Sequence, residues 1–141
     1  GGEARYLDCS RETGCLPVSL NEQARHDPLV KHLPEHFPAH LTHMQTVSRL
    51  PEGAAVLASS TSDTHQIVRY GPNAISTQFH PEFTVAAAKA MIERRSTELD
   101  KEGRDSQSLI AGVTQTPDAS GLLTRFIALH LKNYVPAALT A

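Results

Sequence analysis

A histidine two residues ahead of a glutamate, His80-Pro81-Glu82, is the pairing in this 141-residue chain best suited to moving protons. A carboxylate on one ring nitrogen fixes the tautomer and leaves the other nitrogen free as a base. Pro81 stiffens the backbone between the two. Such a pair needs a nucleophile, Cys or Ser, whose proton the imidazole takes and later hands to a leaving amine. The chain has two cysteines, Cys9 in Leu7-Asp8-Cys9-Ser10-Arg11 and Cys15 in Thr13-Gly14-Cys15-Leu16-Pro17. Neither has small residues on both sides or a helix after it, as a strained strand-to-helix elbow demands. They are too few for a disulfide framework and not spaced as CxxC, so they read as free thiols of a reducing cytoplasm. His32, His36, His40 and His43 are spaced four, four and three. On a continuous helix they would form a metal-binding face, but Pro34 and Pro38 break any such helix. What remains is a loop and a strand carrying solvated histidines, and no metal site is expected.

These residues must be held by a folded chain, and the composition supplies one. Hydrophobic residues make up 40% and charged residues 20%, the balance of a globular domain. The net charge of -2 and the lack of a basic stripe argue against nucleic acid as a partner. No apolar run is long enough to span a bilayer, and no charged-then-apolar signal segment opens the chain. The start at Gly1-Gly2, without an initiator methionine, reads as a fragment or a processed chain.

Short apolar or alternating segments predict strands over Glu3–Leu7, Cys15–Leu20, Phe37–His43, Ala54–Ser59, Gln66–Tyr70 and Ala74–Phe79. The last three have short connections and are expected as antiparallel neighbours. Asp27-Pro28 predicts a short helix over Pro28–His32, stopped by Pro34. Thr84 can cap a helix over Val85–Leu99. Glu102–Ser108 reads as a loop. Thr116-Pro117-Asp118 opens a last helix, about Ala119–Tyr134, ended by Pro136, with an apolar stripe packed on the sheet. His80 then lies at the C-terminal end of a strand, where open α/β sheets place their sites.

With this frame, Gln78-Phe79-His80-Pro81-Glu82-Phe83-Thr84, after a Gly-Pro-Asn turn and an apolar strand, resembles the second signature of class I glutamine amidotransferases. His80 and Glu82 match the family's catalytic histidine and glutamate residue for residue. Glu12-x-Gly14, Asp27-Pro28-Leu29 with Leu33-Pro34, Thr42-His43-x-x-x-Val47 and Leu50-Pro51-x-Gly53 are similar to further motifs of the family. The last two are most familiar from the amidotransferase domain of GMP synthase. The resemblance covers about Gly1–Glu93, and a looser likeness continues through Glu102–Asp105 and Ala111–Val113.

The resemblance implies an α/β, flavodoxin-like fold with a mixed sheet and flanking helices. Residues 1–135 would be the C-terminal portion of one domain and 136–141 a tail. It implies glutamine hydrolysis to glutamate and ammonia by a Cys-His-Glu triad without a metal or organic cofactor. His80 would shuttle protons, Glu82 would orient it, and His43 and Gln45 would line the glutamine pocket. Ammonia would pass to a synthetase partner or fused domain, in a cytoplasmic protein that could pair as a homodimer. Two departures stand out. Gln45 occupies the place of an acid associated with the glutamine amino group. The Gly-x-Cys-x-Gly elbow and the oxyanion-hole segment belong upstream of this chain. Two alternatives therefore stay open: hydrolysis of another γ-glutamyl amide, and a non-catalytic module that binds a ligand or partner.

Overall fold

A computed structural model describes residues 1–8 and 11–131. Its centre is a five-stranded sheet in the order β3-β2-β5-β6-β7. The strands are β2 (Glu12–Leu20), β3 (His36–His43), β5 (Ala55–Ser59), β6 (Ile67–Gly71) and β7 (Ala74–Thr77). Beside it, β1 (Glu3–Tyr6) and β4 (Gln45–Arg49) form a two-stranded ribbon. Every pairing among the described residues is antiparallel. The parallel pairings of the expected mixed sheet are not made by these strands. The β5-β6-β7 run is the expected meander, because short links return the chain beside the strand it has left.

β4 was not expected. Gln45-Thr46-Val47-Ser48-Arg49 has a single apolar residue and no buried position, so it lacks the alternation that marks a half-buried strand. It forms because β3 continues past Met44 onto the free edge of β1, with Tyr6 facing Gln45 and Glu3 facing Arg49.

The expected helix over Pro28–His32 is a series of turns, and a 3-10 helix lies just before it at Glu22–His26. Asp27 explains the difference. Its Oδ1 accepts from the N–H of Leu29 at 2.9 Å and Val30 at 3.3 Å, and its carboxylate takes the Arg69 guanidinium at 2.8 and 2.9 Å. The segment is thus closed as a capped turn, and Pro34 stops it from lengthening.

Thr84 caps α1 (Val85–Arg94), its Oγ1 accepting from Ala87 N–H at 3.1 Å. The single helix expected through Leu99 is two. Arg95 leaves helical geometry (φ -110°, ψ 11°), and α2 (Ser96–Lys101) follows as a separate helix. The break lets Leu99 turn inward, fully buried with Ala88, Ile92 and Val113. α3 (Ser106–Ala111) begins inside the expected loop, because Asp105 caps it on the N–H groups of Gln107 and Ser108.

α4 (Pro117–Leu131) starts where Thr116-Pro117-Asp118 predicted. Its expected end near Tyr134 and Pro136, and the tail, lie outside the described residues. Its apolar stripe is not all core. Ala119, Leu122 and Phe126 pack on the sheet, whereas Leu123, Ile127, Leu129 and Leu131 are exposed. The main core joins Val18, Phe37, Leu57, Ile67 and Phe79 from both halves of the sheet. Phe79 meets Phe37 edge to face at 5.9 Å. Its burial contributes about 2–3 kcal/mol and anchors the residue that precedes His80.

Candidate active site

His80 is positioned from three sides. Phe79 is pinned in the core, the His80 N–H donates to the His40 carbonyl on β3 at 2.9 Å, and the Phe83 N–H closes back on the His80 carbonyl at 3.2 Å. That last bond bends Pro81-Glu82 into a turn, which brings Glu82 Oε1 to 2.8 Å from His80 Nδ1. The Phe83 ring stacks on the imidazole at 4.3 Å, 13° from parallel. An ionised carboxylate can only accept, so the proton belongs on Nδ1 and Nε2 carries the lone pair. Among the described residues nothing bonds to Nε2. Burial pushes the Glu82 carboxyl up, but the hydrogen bonds from His80 and from its own backbone N–H outweigh that and hold it below the usual carboxylate range. The pair the sequence singled out is therefore brought within hydrogen-bond distance, with Nε2 of His80 left open.

His43 sits elsewhere, beneath the bend between β3 and β4. Its Nε2 lies 3.3 Å from Glu12 Oε2 and 3.2 Å from Asp63 Oδ2, short of a directional hydrogen bond to either. Both carboxylates are buried. Glu12 also accepts from the Ser60 hydroxyl at 2.7 Å and from Gln66 Nε2 at 2.8 Å. Asp63 accepts from the Thr46 hydroxyl and the His65 N–H, each at 2.8 Å. Burial pushes the Asp63 carboxyl up, and the His43 ring, the His65 N–H and the Thr46 hydroxyl more than reverse it. Sequence reasoning missed this cluster. Glu12 entered only through its Glu-x-Gly motif, and Asp63 lies in a short connection between two predicted strands. The detectable signal was Ser60-x-x-Asp63, a short polar turn just ahead of the alternating strand that carries Gln66.

Gln45 follows at the start of β4, and its carbonyl accepts from Gln78 Nε2, two residues before His80. Gln45, His43 and Gln78 line one groove with Tyr6, Thr42 and Arg95. Arg95 was not a predicted site residue, and no sequence signal marks it, because the helix break at this position is seen only in the structure; there Nη1 donates to Thr42 Oγ1 at a long 3.4 Å.

The other histidines do not gather. His36 Nδ1 meets Ser19 Oγ at 2.9 Å on the surface. His40 is buried rather than solvated, its Nε2 on the Thr114 carbonyl at 2.9 Å. The chain is drawn inward there because β3 is covered on the face that carries His40. Cys15 lies mid-strand opposite His40, reduced and partly buried, so no elbow presents its sulfur. Cys9 lies outside the described residues. No described helix is long and apolar enough to cross a membrane.

Comparison with known proteins bears on what this arrangement is for. A family model described as glutamine amidotransferase class-I matches residues 11–98. The glutamine amidotransferase-like protein YfeJ of Salmonella typhimurium is 34% identical over 105 residues, 73% of this chain and 43% of its own length. A glutamine-hydrolysing GMP synthase of Thermosipho africanus is 35% identical over 63 residues, 44% of this chain and 12% of its own. The chain thus spans less than half the length of these curated relatives. The crystal structure of a glutamine amidotransferase from Thermotoga maritima superposes with a TM-score of 0.75 at 22% identity, over 94% of this chain and 56% of that one. One from Methylobacillus flagellatus gives 0.62 at 18%, over 89% and 52%. These two likenesses speak for the fold, an α/β arrangement of the flavodoxin-like kind.

Proposed function

The chain belongs to the class I glutamine amidotransferase family, and from that premise we propose that the protein carrying it releases ammonia from the side-chain amide of glutamine. The observation that carries the reading is the 2.8 Å contact of Glu82 on His80 Nδ1, with Nε2 left open. A cysteine thiol gives its proton to Nε2, and the thiolate attacks the amide carbon. The tetrahedral intermediate collapses as His80 returns that proton to the departing nitrogen, so ammonia leaves and a thioester remains. Water, deprotonated by the same nitrogen, then releases glutamate and restores the thiol. Glu82 keeps the imidazole in one tautomer and stabilises the imidazolium that forms twice per turnover.

Neither Cys15, mid-strand, nor Cys9 has the sequence setting of the nucleophile, so the thiol comes from a part of the protein outside these 141 residues. The reading also includes an acceptor for the ammonia, on a synthetase partner or fused domain. Gln45 favours a second version, in which the amide belongs to a γ-glutamyl compound other than glutamine. Ammonia release by the intact protein, with His80→Ala as comparison, tests the reading. The variant is expected to lose about 10²–10⁴-fold in kcat. A rate within a few-fold of wild type would remove His80 from the chemistry.

A further inference from the structure

Beyond the amide hydrolysis on which it rests, we propose that Gln78 is a positioning residue: it locks the segment leading into His80 to the groove wall that carries Gln45, and the buried cluster of Glu12, His43 and Asp63 anchors both ends of that lock. The Gln78 side chain donates from Nε2 to the Gln45 carbonyl, and its own N–H donates to the Gln66 carbonyl at 2.9 Å. Gln66 is fully buried, and its Nε2 donates to Glu12 Oε2 at 2.8 Å. On the wall, Thr46 follows Gln45 and gives its hydroxyl to Asp63 at 2.8 Å. Glu12 and Asp63 then meet at one atom, His43 Nε2, at 3.3 and 3.2 Å. Followed either way from Gln78, the contacts return to the same buried place.

The wall depends on such a hold. β4 carries one apolar residue, Val47, so burial of its own side chains contributes little to fixing it. The bonds fall on Gln45 and Thr46, the first two residues of β4, just past His43 at the end of β3. The anchor itself is stiff. The side chains of Glu12, Asp63 and His43 are only 4%, 0% and 10% exposed, and parting a buried carboxylate from its partners is costly. Gln78 carries that stiffness to the chemistry, because its Cα is at most about 7 Å from that of His80. In the proposed reaction the amide lies between the wall and His80, where a shift of about 1 Å slows the reaction without unfolding the protein. His43 thus acts on the substrate through the wall it holds. Contacts joined in one circuit fail together, so removing two of them costs little more than removing one.

The test uses the intact protein. Gln78→Met keeps the length of the side chain and loses the donor; Thr46→Val keeps the shape and loses the hydroxyl; Thr46→Ser keeps the hydroxyl. In ammonia release from L-glutamine, Gln78→Met and Thr46→Val are each expected to lower kcat/KM about fivefold or more. Thr46→Ser should stay within about threefold of wild type, and the thermal midpoint of Gln78→Met within about 2 °C. The double variant Gln78→Met/Thr46→Val should fall within about threefold of the slower single variant. A smaller loss in Gln78→Met, a Thr46→Ser rate as low as that of Thr46→Val, or losses that multiply in the double variant overturns the proposal. Should Thr46→Val fail to fold, Gln78→Met decides alone. Hydrogen exchange reads the lock without reference to activity: in Gln78→Met the Val47 amide should exchange about tenfold faster, with that of Val68 unchanged. An unchanged Val47 rate overturns the lock. A wild type that releases no ammonia, with Val47 responding as expected, would instead sink the amidotransferase reading and leave the lock in place.

Discussion

In the proposed reaction Glu82 makes and breaks no bond; its part there is to decide which nitrogen of His80 is available. Glu82→Gln keeps an acceptor oxygen near Nδ1 but removes the charge that stabilises the imidazolium and admits the wrong amide orientation. The expected result is a fall of about 10²-fold in kcat for ammonia release, with the fold unperturbed because the side chain is more than half exposed. Asp63→Asn should behave oppositely. It leaves His43 against one fewer buried carboxylate and should cost about 2–4 kcal/mol of stability. A lower denaturant midpoint at unchanged m-value would show it. The two sites also differ in how legible they are. His80 and Glu82 are two residues apart, and a turn suffices to join them, so spacing alone offers the pair. His43 meets Glu12 from β2 and Asp63 from the turn before β6. No local pattern announces that three distant residues will converge, because strand order decides it.

At the scale of elements, most strands and both long helices follow from apolar patterning and caps. Apart from α3, which a local Asp105 cap explains, the misses come from tertiary contacts that change the backbone's course. Asp27 spends its carboxylate on Arg69 and two turn N–H groups, so a helix signal becomes a turn. Leu99 seeks the second core, so one helix becomes two at Arg95. β4 is held by its partner β1 and not by its own sequence. Gly14 shows the same coupling in reverse. Its φ of 115° lies where side chains are strained, and a Cβ there would come within 3.2 Å of Leu109 Cδ2 on α3. Gly14→Ala is expected to cost about 1–3 kcal/mol, read as a lower thermal midpoint. An unchanged midpoint would mean that β2 and α3 can part without penalty.

For the molecule as a whole, buried carboxylates set the response to acid. Asp27, pushed up by burial but pulled further down by Arg69 and the Leu29 and Val30 N–H groups, lies below its usual range, as does Asp63. A carboxyl whose folded pKa is depressed stabilises the fold above its unfolded value of about 3.9, and that contribution fades as pH falls toward the folded value. Stability should thus be flat near neutrality and drop below about pH 4. Asp27→Asn should flatten the drop, as followed by urea denaturation across pH. The family and its fold were legible because local motifs survive in sequence. The division into a five-stranded sheet and a separate ribbon was not, because β1 pairs with a strand that the pattern does not reveal. That division has a kinetic side. The β5-β6-β7 meander joins neighbours across short links, whereas the ribbon pairs Glu3 with Arg49 and Tyr6 with Gln45. Closing the longer loop costs more entropy before any contact repays it. The ribbon should therefore assemble late and open early, with amides of Arg5 and Val47 exchanging well before those of Ile67 and Val68. The wall of the groove that carries Tyr6 and Gln45 would then be the last part of the molecule to exist on folding and the first to be lost.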